Sequence, residues 1–511
     1  MTMTNEHMIV ELYAEVVESW PCDAVAIGVY DGGQPQKIVE TSCKEWSKDI
    51  DEVLASGWFK GKEGEFMVLP LNRTAGVGPS GVLLMGLGKE SSITLQTLEN
   101  TGARLVKIAR DHGIARLGCL IPLNRHNGIS RGASVRHLAQ GAWLGSYRFD
   151  RFKSKNREEN PDEAVAVTLE LAVPSQKKEQ LHKKLARWQA ICDGQCLARD
   201  LGNLPGNLLT PEGMAEQARK IAESFPIQVT VWDEKILKNN RMNGILAVGQ
   251  GSMHPPRLII MEYRQGGDRP LLAVVGKAIT FDSGGISLKP GAKMEEMKFD
   301  MAGGAAVLGF MQAIASMQLE VNVVGLVPSA ENLPSGTAQR PGDVIETASG
   351  QWVEVINTDA EGRLILADAL HHAQTYKPDM IVDLATLTGA CVVALGQEAS
   401  GLMGYDKKLL RRLARAGKRV GELLWPLPLL AGYQDLLKSP VADMKNVGGR
   451  DAGAITGGCF LSRFVEKSIP WAHIDIAGTA WDMSGKKPVQ PKGATGVGVR
   501  LLCRFAEKEL Q

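Results

Sequence analysis

The sequence has few aromatic residues, almost no net charge and no long apolar run. Aromatic side chains make up 5% of the 511 residues, and 58 Lys and Arg nearly balance 57 Asp and Glu. This balance argues against a polycationic nucleic-acid or membrane-surface protein. No window reaches the roughly eighteen apolar residues that a membrane span needs. The first twenty residues contain acids but no Lys or Arg, unlike a secretory signal peptide, so we expect a cytoplasmic protein with no membrane partner.

Paired cysteines and several common catalytic motifs are also missing. The eight cysteines include no CxxC pair, which excludes a zinc ribbon and gives no support to a disulfide scaffold. Cys192 and Cys196 stand one helical turn apart; we interpret them as packed thiols rather than a redox or metal pair. No His is followed by Glu, which removes the HExxH metalloprotease signature, and the phosphate-binding motif GxxxxGK[ST] is absent.

Two short patterns resemble functional motifs but fail on inspection. Gly249-Gln250-Gly251 begins a dinucleotide fingerprint, yet His254 occupies the third glycine position. The adjacent His371 and His372 would point about 100° apart on a helix and could not hold one ion together. The dinucleotide-binding and histidine-metal interpretations are therefore set aside.

Strand and helix patterns alternate along the whole chain, which predicts an α/β protein. Near-continuous β-branched runs such as LLAVVG and MIVDLATL are typical of strands covered on both faces. We predict a smaller N-terminal, macro-like α/β domain, a connecting helix, and a larger C-terminal catalytic α/β domain with a mostly parallel central sheet flanked by helices. Their predicted bounds are residues 1–174, 175–202 and 203–511. Functional groups should gather at the carboxyl ends of the strands.

Two further polar features have more than one interpretation. The segment 407–419 places seven basic residues on a short amphipathic helix, which could contact phosphates but is more often a solvated helix face. His473 and Asp475 share one face of a predicted strand and could support a site or simply form a buried polar pair.

Two other segments place several ionisable residues among glycines directly after an apolar strand. The first, VGKAITFDSGGISLKPGAKMEEMKFDMAGG, contains Lys277, Asp282, Lys289 and Asp300. The second, VEVINTDAEGRLILADAL, contains Asp359, Glu361 and Arg363. Four carboxylates at loop ends would repel one another unless cations neutralise them, and hard oxygen ligands suit divalent ions. The sequence therefore makes a two-metal site plausible.

The same segments resemble the leucyl aminopeptidase family of cytosolic, two-metal aminopeptidases, in its bacterial form. NTDAEGRL at 357–364 is similar to the family signature, and VGKAITFDSGGISLKP at 275–290 to its other metal-binding block. The resemblance continues through ATLTGACVVALG, ADMKNVGGRDAGAITGGCFLSRF and HIDIAGTAW, and covers the second domain. In the first domain only SYRFDRFK looks like the family.

The resemblance implies a role for individual residues. The tightly held metal would be bound by Lys277, Asp282, Asp300 and Glu361. The exchangeable metal would be bound by Asp282, Asp359 and Glu361, with the Asp359 carbonyl. Lys289 would stabilise the oxyanion, and Arg363 would hold a bicarbonate ion that shuttles protons. The side-chain pocket would be formed by Met297, Thr386, Gly389 and Ala477.

The expected activity is the release of N-terminal Leu and other apolar residues from peptides, with a water held between two Mn²⁺ or Zn²⁺ ions as the nucleophile. The resemblance also implies a homohexamer. Two alternatives stay open: a secondary DNA-binding or regulatory role, which the balanced charge disfavours, and a metal-dependent hydrolase of another amide.

Overall fold

The computed structural model describes residues 8–14, 20–32, 44–70, 78–120, 128–154 and 166–511. The chain forms two compact units. One comprises Met1–Cys192 and Ser484–Pro491, and the other Asp193–Met483 and Lys492–Gln511. The long helix α4, Ser175–Asn203, contains the boundary between them.

The first unit is built on one six-stranded sheet in the order β1-β6-β5-β2-β4-β3. All neighbouring strands are parallel except β3, which runs antiparallel to β4 at the edge. The strands are β1 Met8–Tyr13, β2 Ala24–Val29, β3 Phe66–Pro70, β4 Gly81–Gly86, β5 Arg116–Leu120 and β6 Val167–Ala172. The helices that precede α4 in this unit are α1 Lys44–Ser56, α2 Leu95–Asp111 and α3 Arg131–Gly145.

Helices α2 and α3 pack together through glycines. A Cβ on Gly102 would lie 2.1 Å from the Leu138 carbonyl oxygen, and one on Gly141 would lie 2.0 Å from the Glu99 carbonyl oxygen. The two backbones can approach this closely only because neither position carries a side chain.

The second unit is built on a nine-stranded sheet in the order β16-β15-β18-β14-β9-β11-β8-β7, with β10 also pairing with β11. The central strands β18, β14, β9 and β11 are parallel, while β15 and β8 run antiparallel to their central neighbours. The sheet strands are β7 Gln228–Trp232, β8 Arg257–Arg264, β9 Leu271–Gly276, β10 Ala278–Asp282, β11 Asn322–Asn332, β14 Met380–Ala385, β15 Ser400–Gly404, β16 Leu424–Pro426 and β18 Trp471–Asp475. The short strands outside it are β12 Val344–Glu346, β13 Trp352–Glu354, β17 Met444–Lys445, β19 Trp481–Asp482 and β20 Gly493–Ala494.

Helices cover this sheet and complete the unit. They are α5 Pro211–Ser224, α6 Glu234–Asn239, α7 Asn243–Gly249, α8 Ala302–Ser316, α9 Gly362–Ala373, α10 Gly389–Leu395, α11 Lys407–Val420, α12 Ala431–Asp435, α13 Gly453–Leu461 and α14 Val499–Glu509. Leu364 and Ile365 of α9 share a fully buried core with Ala273 and Val275 of β9. The predicted α/β class, with two units and a mostly parallel central sheet in the larger one, is confirmed.

Among the described residues, one stretch, Met294–Ser316, is long and apolar enough to cross a membrane. However, 83% of its most apolar part is buried inside the protein. It contains α8, whose residues pack under the central sheet, so its apolar character is that of a core helix.

Residue Lys277 interrupts the strand formed by β9 and β10. Its backbone N–H donates to the Leu384 carbonyl of β14 at 3.0 Å, and its carbonyl accepts from Gly304 of α8 at 2.7 Å. Before the break the strand pairs with both β14 and β11; after it the strand pairs with β11. Beyond the break the strand no longer pairs with β14, and Lys277 Nζ instead donates to the carbonyl of Thr386, the residue that follows β14, at 2.8 Å.

The contact between α2 and α3 can be tested with two Gly→Ala substitutions in the same helix. Gly141→Ala places a methyl group against backbone, so we expect it to lower the free energy of unfolding by about 1–3 kcal/mol. Gly132→Ala meets only the Leu181 side chain at 3.7 Å and should be neutral or stabilising by up to about 1 kcal/mol. Urea denaturation of both variants measures the difference, and equal midpoints would contradict the close approach.

Candidate metal centre

The ionisable residues predicted for the site meet at the carboxyl end of the central sheet. Lys277 lies at the strand break, Asp282 ends β10, and Asp300 follows a 3-10 helix, Met294–Phe299. Asp359 and Glu361 lie in the turn that leads into α9. The structure thus brings together residues that are up to 84 positions apart in the sequence, counted from Lys277 to Glu361.

Two lysines bridge the four carboxylates in pairs. Lys277 Nζ lies 2.8 Å from Asp300 Oδ2 and 2.7 Å from Glu361 Oε1, and it donates to the Thr386 carbonyl at 2.8 Å. Lys289 Nζ lies 2.8 Å from Asp282 Oδ2 and also contacts Asp359. Each ammonium occupies a position between two carboxylates.

The cluster contains more acidic than basic side chains, and most of them are buried. Lys277, Asp282, Asp300 and Glu361 are each no more than 5% exposed, and the Asp359 side chain is 33% exposed. Burial, reinforced by neighbouring Glu361, raises the pKa of Asp282 to about 6. Burial also raises the pKa of Asp300 well above its usual range and that of Asp359 to a smaller extent. With two ammoniums against four carboxylates, the cluster lacks positive charge.

The donor set fits divalent cations. Asp282, Asp359 and Glu361 each offer an oxygen, and these three oxygens lie within 4.8 Å of one another. Asp300 Oδ2 and Asp359 Oδ1 are buried and, within the part of the chain that the structure describes, receive no hydrogen bond of good geometry, although a lysine ammonium lies close to each. Carboxylate oxygens are hard ligands, and the two ammonium ions do not balance the negative charge of the four carboxylates. These oxygens are therefore suitable ligands for divalent cations.

Both lysines are protonated in this arrangement, whereas a lysine that binds a metal ion through its nitrogen must be neutral. Burial alone would lower the pKa of Lys277, but Asp300, Glu361 and Asp282 outweigh it and raise that pKa. The same opposition, with Asp282 as the main partner, raises the pKa of Lys289. In this arrangement both side chains are ammonium ions, so a metal ion bound to Lys277 would have to displace its proton.

Glycines leave room for the charged side chains. A Cβ on Gly362 would lie 2.5 Å from Lys277 Cε and 2.7 Å from its Nζ. Gly284 has φ +87°, and a Cβ there would lie 2.9 Å from Asp359 Oδ1. Gly362 and Gly284 therefore leave the space that the side chains of Lys277 and Asp359 occupy.

Arg363 lies two residues after Glu361, at the start of α9. It is 6% exposed, and its Nη1 donates to the Asn446 carbonyl at 2.7 Å, while Nε has no hydrogen-bond partner among the described residues. Burial lowers the pKa of Arg363 to about 10, which leaves it charged at neutral pH. A buried guanidinium with an unused donor is suited to accept an anion.

The residues predicted for the side-chain pocket lie on three neighbouring segments. Met297 is in the 3-10 helix before Asp300, Thr386 follows β14, and Gly389 begins α10 with open space around its Cβ position. Ala477 follows β18 and donates its N–H to Asp475 Oδ1 at 3.1 Å.

Asp475 connects two of these segments. Besides the Ala477 amide, its carboxylate accepts a hydrogen bond from the Thr388 hydroxyl at 2.7 Å and one from the Leu387 N–H at 3.2 Å. His473 donates from Nδ1 to Asp383 Oδ1 at 2.5 Å and is fully buried. Asp475 therefore supports the loops of the candidate pocket, whereas His473 belongs to a buried polar pair.

The features that the sequence analysis set aside have structural explanations. His372 packs against Trp232 and Tyr376, and burial lowers its pKa to about 4. Among the described residues, the group with metal-ligand geometry is the carboxylate cluster described above. None of the seven buried cysteines in the described ranges, including Cys192 and Cys196, forms a disulfide bond.

Two asparagines beside the site were missed by the sequence analysis. Asn332, the last residue of β11, donates to Asp282 Oδ1 at 2.8 Å and to the Thr358 carbonyl at 3.0 Å. Asn446 accepts from the Ile356 N–H at 2.8 Å and donates to the Asn357 carbonyl at 2.7 Å. Neither residue has a local sequence signal, because each acts through a contact with a segment that is distant in the sequence.

The chain is similar over nearly its whole length to proteins of one family. The profile of the cytosol aminopeptidase family, catalytic domain, matches residues 196–503, and the profile of its N-terminal domain matches residues 26–156. A probable cytosol aminopeptidase from Geobacter sulfurreducens is 44% identical over 98% of this chain and 99% of its own length. A probable cytosol aminopeptidase from Geotalea uraniireducens is 44% identical over 95% of this chain and 96% of its own length.

A solved structure with a similar fold is that of the bottromycin maturation enzyme BotP in complex with Mn. It matches with a TM-score of 0.84 and 33% identity, covering 96% of this chain and 100% of its own. The resemblance predicted from the motifs is confirmed: with both domain profiles matched and full-length relatives at this identity, the chain belongs to the cytosol aminopeptidase family.

Proposed function

We propose that this protein is a two-metal aminopeptidase that removes N-terminal residues, preferably Leu and other apolar ones, from peptides. The observation that carries the proposal is the buried cluster of four carboxylates and two lysines, in which three carboxylate oxygens lie within 4.8 Å of one another. Membership of the cytosol aminopeptidase family supports the same reaction. In this proposal residues 1–174 form the N-terminal domain, 175–202 the connecting helix and 203–511 the catalytic domain.

The proposed ligands divide into two overlapping sets. Lys277, Asp282, Asp300 and Glu361 would hold one ion, and Asp282, Asp359 and Glu361, with the Asp359 carbonyl, the other. When bound, two ions such as Mn²⁺ or Zn²⁺ would polarise the scissile carbonyl and activate the attacking water between them. The mixed oxygen and nitrogen donors suit either metal, and BotP was solved with Mn.

Lys289 and Arg363 supply the remaining charges. Lys289 is 22% exposed and extends between Asp282 and Asp359, so its ammonium can face a substrate and stabilise the oxyanion that develops during attack. The unpartnered Nε of Arg363 is suited to hold a bicarbonate ion, which would move the proton that none of the carboxylates is free to take. Met297, Thr386, Gly389 and Ala477 are apolar or small, which favours a Leu-sized side chain in the pocket.

The proposal extends to the state of the protein in the cell. A cytoplasmic location is supported by the names of the relatives. A homohexamer is implied by the family resemblance, and contact between copies is supported by large exposed apolar side chains in the second unit, among them Trp425 at 62%, Leu430 at 59% and Val441 at 65%. Light scattering coupled to size-exclusion chromatography measures the molecular mass. A monomeric mass at micromolar concentration would contradict the hexamer.

The central experiment is hydrolysis of leucine p-nitroanilide and of an N-acetylated control by protein loaded with Mn²⁺, Zn²⁺, Co²⁺ or Mg²⁺. We expect turnover of the free-amine substrate alone, loss of turnover after chelation, and recovery on adding metal. An intact free-amine substrate, or turnover that survives chelation, would remove the proposed function. Cleavage of other amides but no peptide would favour the alternative hydrolase.

Two substitutions separate metal binding from charge stabilisation. Asp359→Ala removes a proposed ligand, so turnover should fall together with the metal content measured by atomic emission. Lys289→Ala should lower kcat on the order of 10²–10³-fold with both metals retained, because it removes an oxyanion donor. Wild-type turnover in either variant would contradict its assigned role.

The glycine next to Glu361 provides a steric test. Gly362→Ala places a methyl group 2.5 Å from Lys277 Cε, so we expect it to displace this lysine and reduce turnover by at least about tenfold. Gly291→Ala, in the segment that carries Lys289, meets no atom within 4 Å and is the control. Equal turnover in both variants would show that Lys277 needs no such space.

Nucleic-acid binding is a second candidate function, favoured by one surface. Helix α11 exposes six basic side chains within about 120° of its circumference: Lys407, Lys408, Arg411, Arg415, Lys418 and Arg419. Arg412 of the same helix instead pairs with Glu509. A gel shift with duplex DNA tests this surface: binding should weaken with salt and in Arg411→Glu/Arg415→Glu. No shift at low salt would remove this candidate.

A further inference from the structure

Asn332 joins two of the segments that carry the proposed ligands. It ends β11 and is 1% exposed, and its single amide group donates to Asp282 Oδ1 at 2.8 Å and to the Thr358 carbonyl at 3.0 Å. Asp282 ends the neighbouring strand, and Thr358 immediately precedes Asp359. One side chain therefore fixes both segments to the same strand end.

This contact divides the two oxygens of Asp282 between two tasks. Oδ1 accepts hydrogen bonds from Asn332 and from the Gly284 N–H at 2.9 Å. Oδ2 is the oxygen that faces Lys289 Nζ at 2.8 Å and the rest of the cluster. Because Oδ1 is held by two donors, the carboxylate cannot rotate without breaking both bonds, and Oδ2 keeps its direction.

The same residue also fixes the loop that follows Asp282. The backbone carbonyl of Asn332 accepts from the Ser283 N–H at 3.0 Å and from its hydroxyl at 2.7 Å. Its Oδ1 lies where a Cβ on Gly285 would approach within 2.7 Å. A carboxamide is suited to this place because it brings two N–H donors to two acceptors without adding a fifth negative charge.

We propose that Asn332 is a positioning residue of the candidate metal centre, which sets the orientation of Asp282 and the placement of the Asp359 segment relative to it. The inference rests on the proposed two-metal function. Residues that hold a ligand in place through hydrogen bonds typically change metal affinity by about 10–100-fold when they are replaced.

The opposite end of β11 provides a matched control. Asn322 is also a buried carboxamide; it donates to the Gly267 and Arg269 carbonyls at 2.9 and 2.8 Å and accepts from the Gly266 N–H at 3.0 Å. It braces a loop in the same way but contacts none of the proposed ligands. A purely structural role for Asn332 would make the two positions behave alike.

The experiment titrates Mn²⁺ into chelator-stripped, full-length protein by calorimetry, with electron paramagnetic resonance to count free ions. Asn332→Ser should weaken at least one Mn²⁺ site by about 10–100-fold, and Asn322→Ser should leave both affinities at wild-type values. Asn332→Asp, which keeps the size of the side chain but replaces the donor, should weaken binding as well. Circular dichroism confirms that each variant is folded.

The outcomes separate this inference from the proposed function. A wild-type protein that binds no Mn²⁺, Zn²⁺ or Co²⁺ removes the two-metal function itself. Wild-type binding with unchanged affinity in Asn332→Ser or, if that variant is unfolded, in Asn332→Asp overturns the role of Asn332 alone. The rise in Tm that Mn²⁺ produces is a second readout: an equal rise in wild type and in the Asn332 variants also overturns it.

Discussion

Mutual repulsion among four carboxylates is the constraint on which the site of the second unit depends. Asp282, Asp300 and Glu361 are almost completely buried, and removing an ion from water costs several kcal/mol. Lys277 and Lys289 offset only half of the negative charge, because each ammonium lies between two carboxylates. The surrounding chain has to hold these oxygens against their repulsion, and the family's use of divalent ions explains why such an arrangement is retained.

Backbone and small side chains provide that support. Gly362 gives the lysine room, and the turn before α9 is held by the carboxamides of Asn332, at the end of β11, and of Asn446, directly after β17. These residues carry no charge, so they add hydrogen bonds without altering the electrostatic balance. Neutral groups therefore contribute to holding the charged side chains of the cluster in place.

From the sequence, the ionisable residues of the candidate site were easier to predict than the residues that hold them in place. Lys277, Asp282 and Glu361 could be identified because charged residues directly after apolar strands are conspicuous, and the α/β class followed from the alternation of patterns. Asn332 was missed because its role depends on a contact with Asp282, 50 residues away, which no local pattern reveals.

The strand break at Lys277 has a consequence for motion. Its N–H is bonded to Leu384 of β14 and its carbonyl to Gly304 of α8, so both backbone groups are tied to the interior of the unit. Central strands of this kind open to solvent only in the largest unfolding events. We therefore expect the amide proton of Lys277 to exchange with deuterium slowly, through openings that involve most of the central sheet.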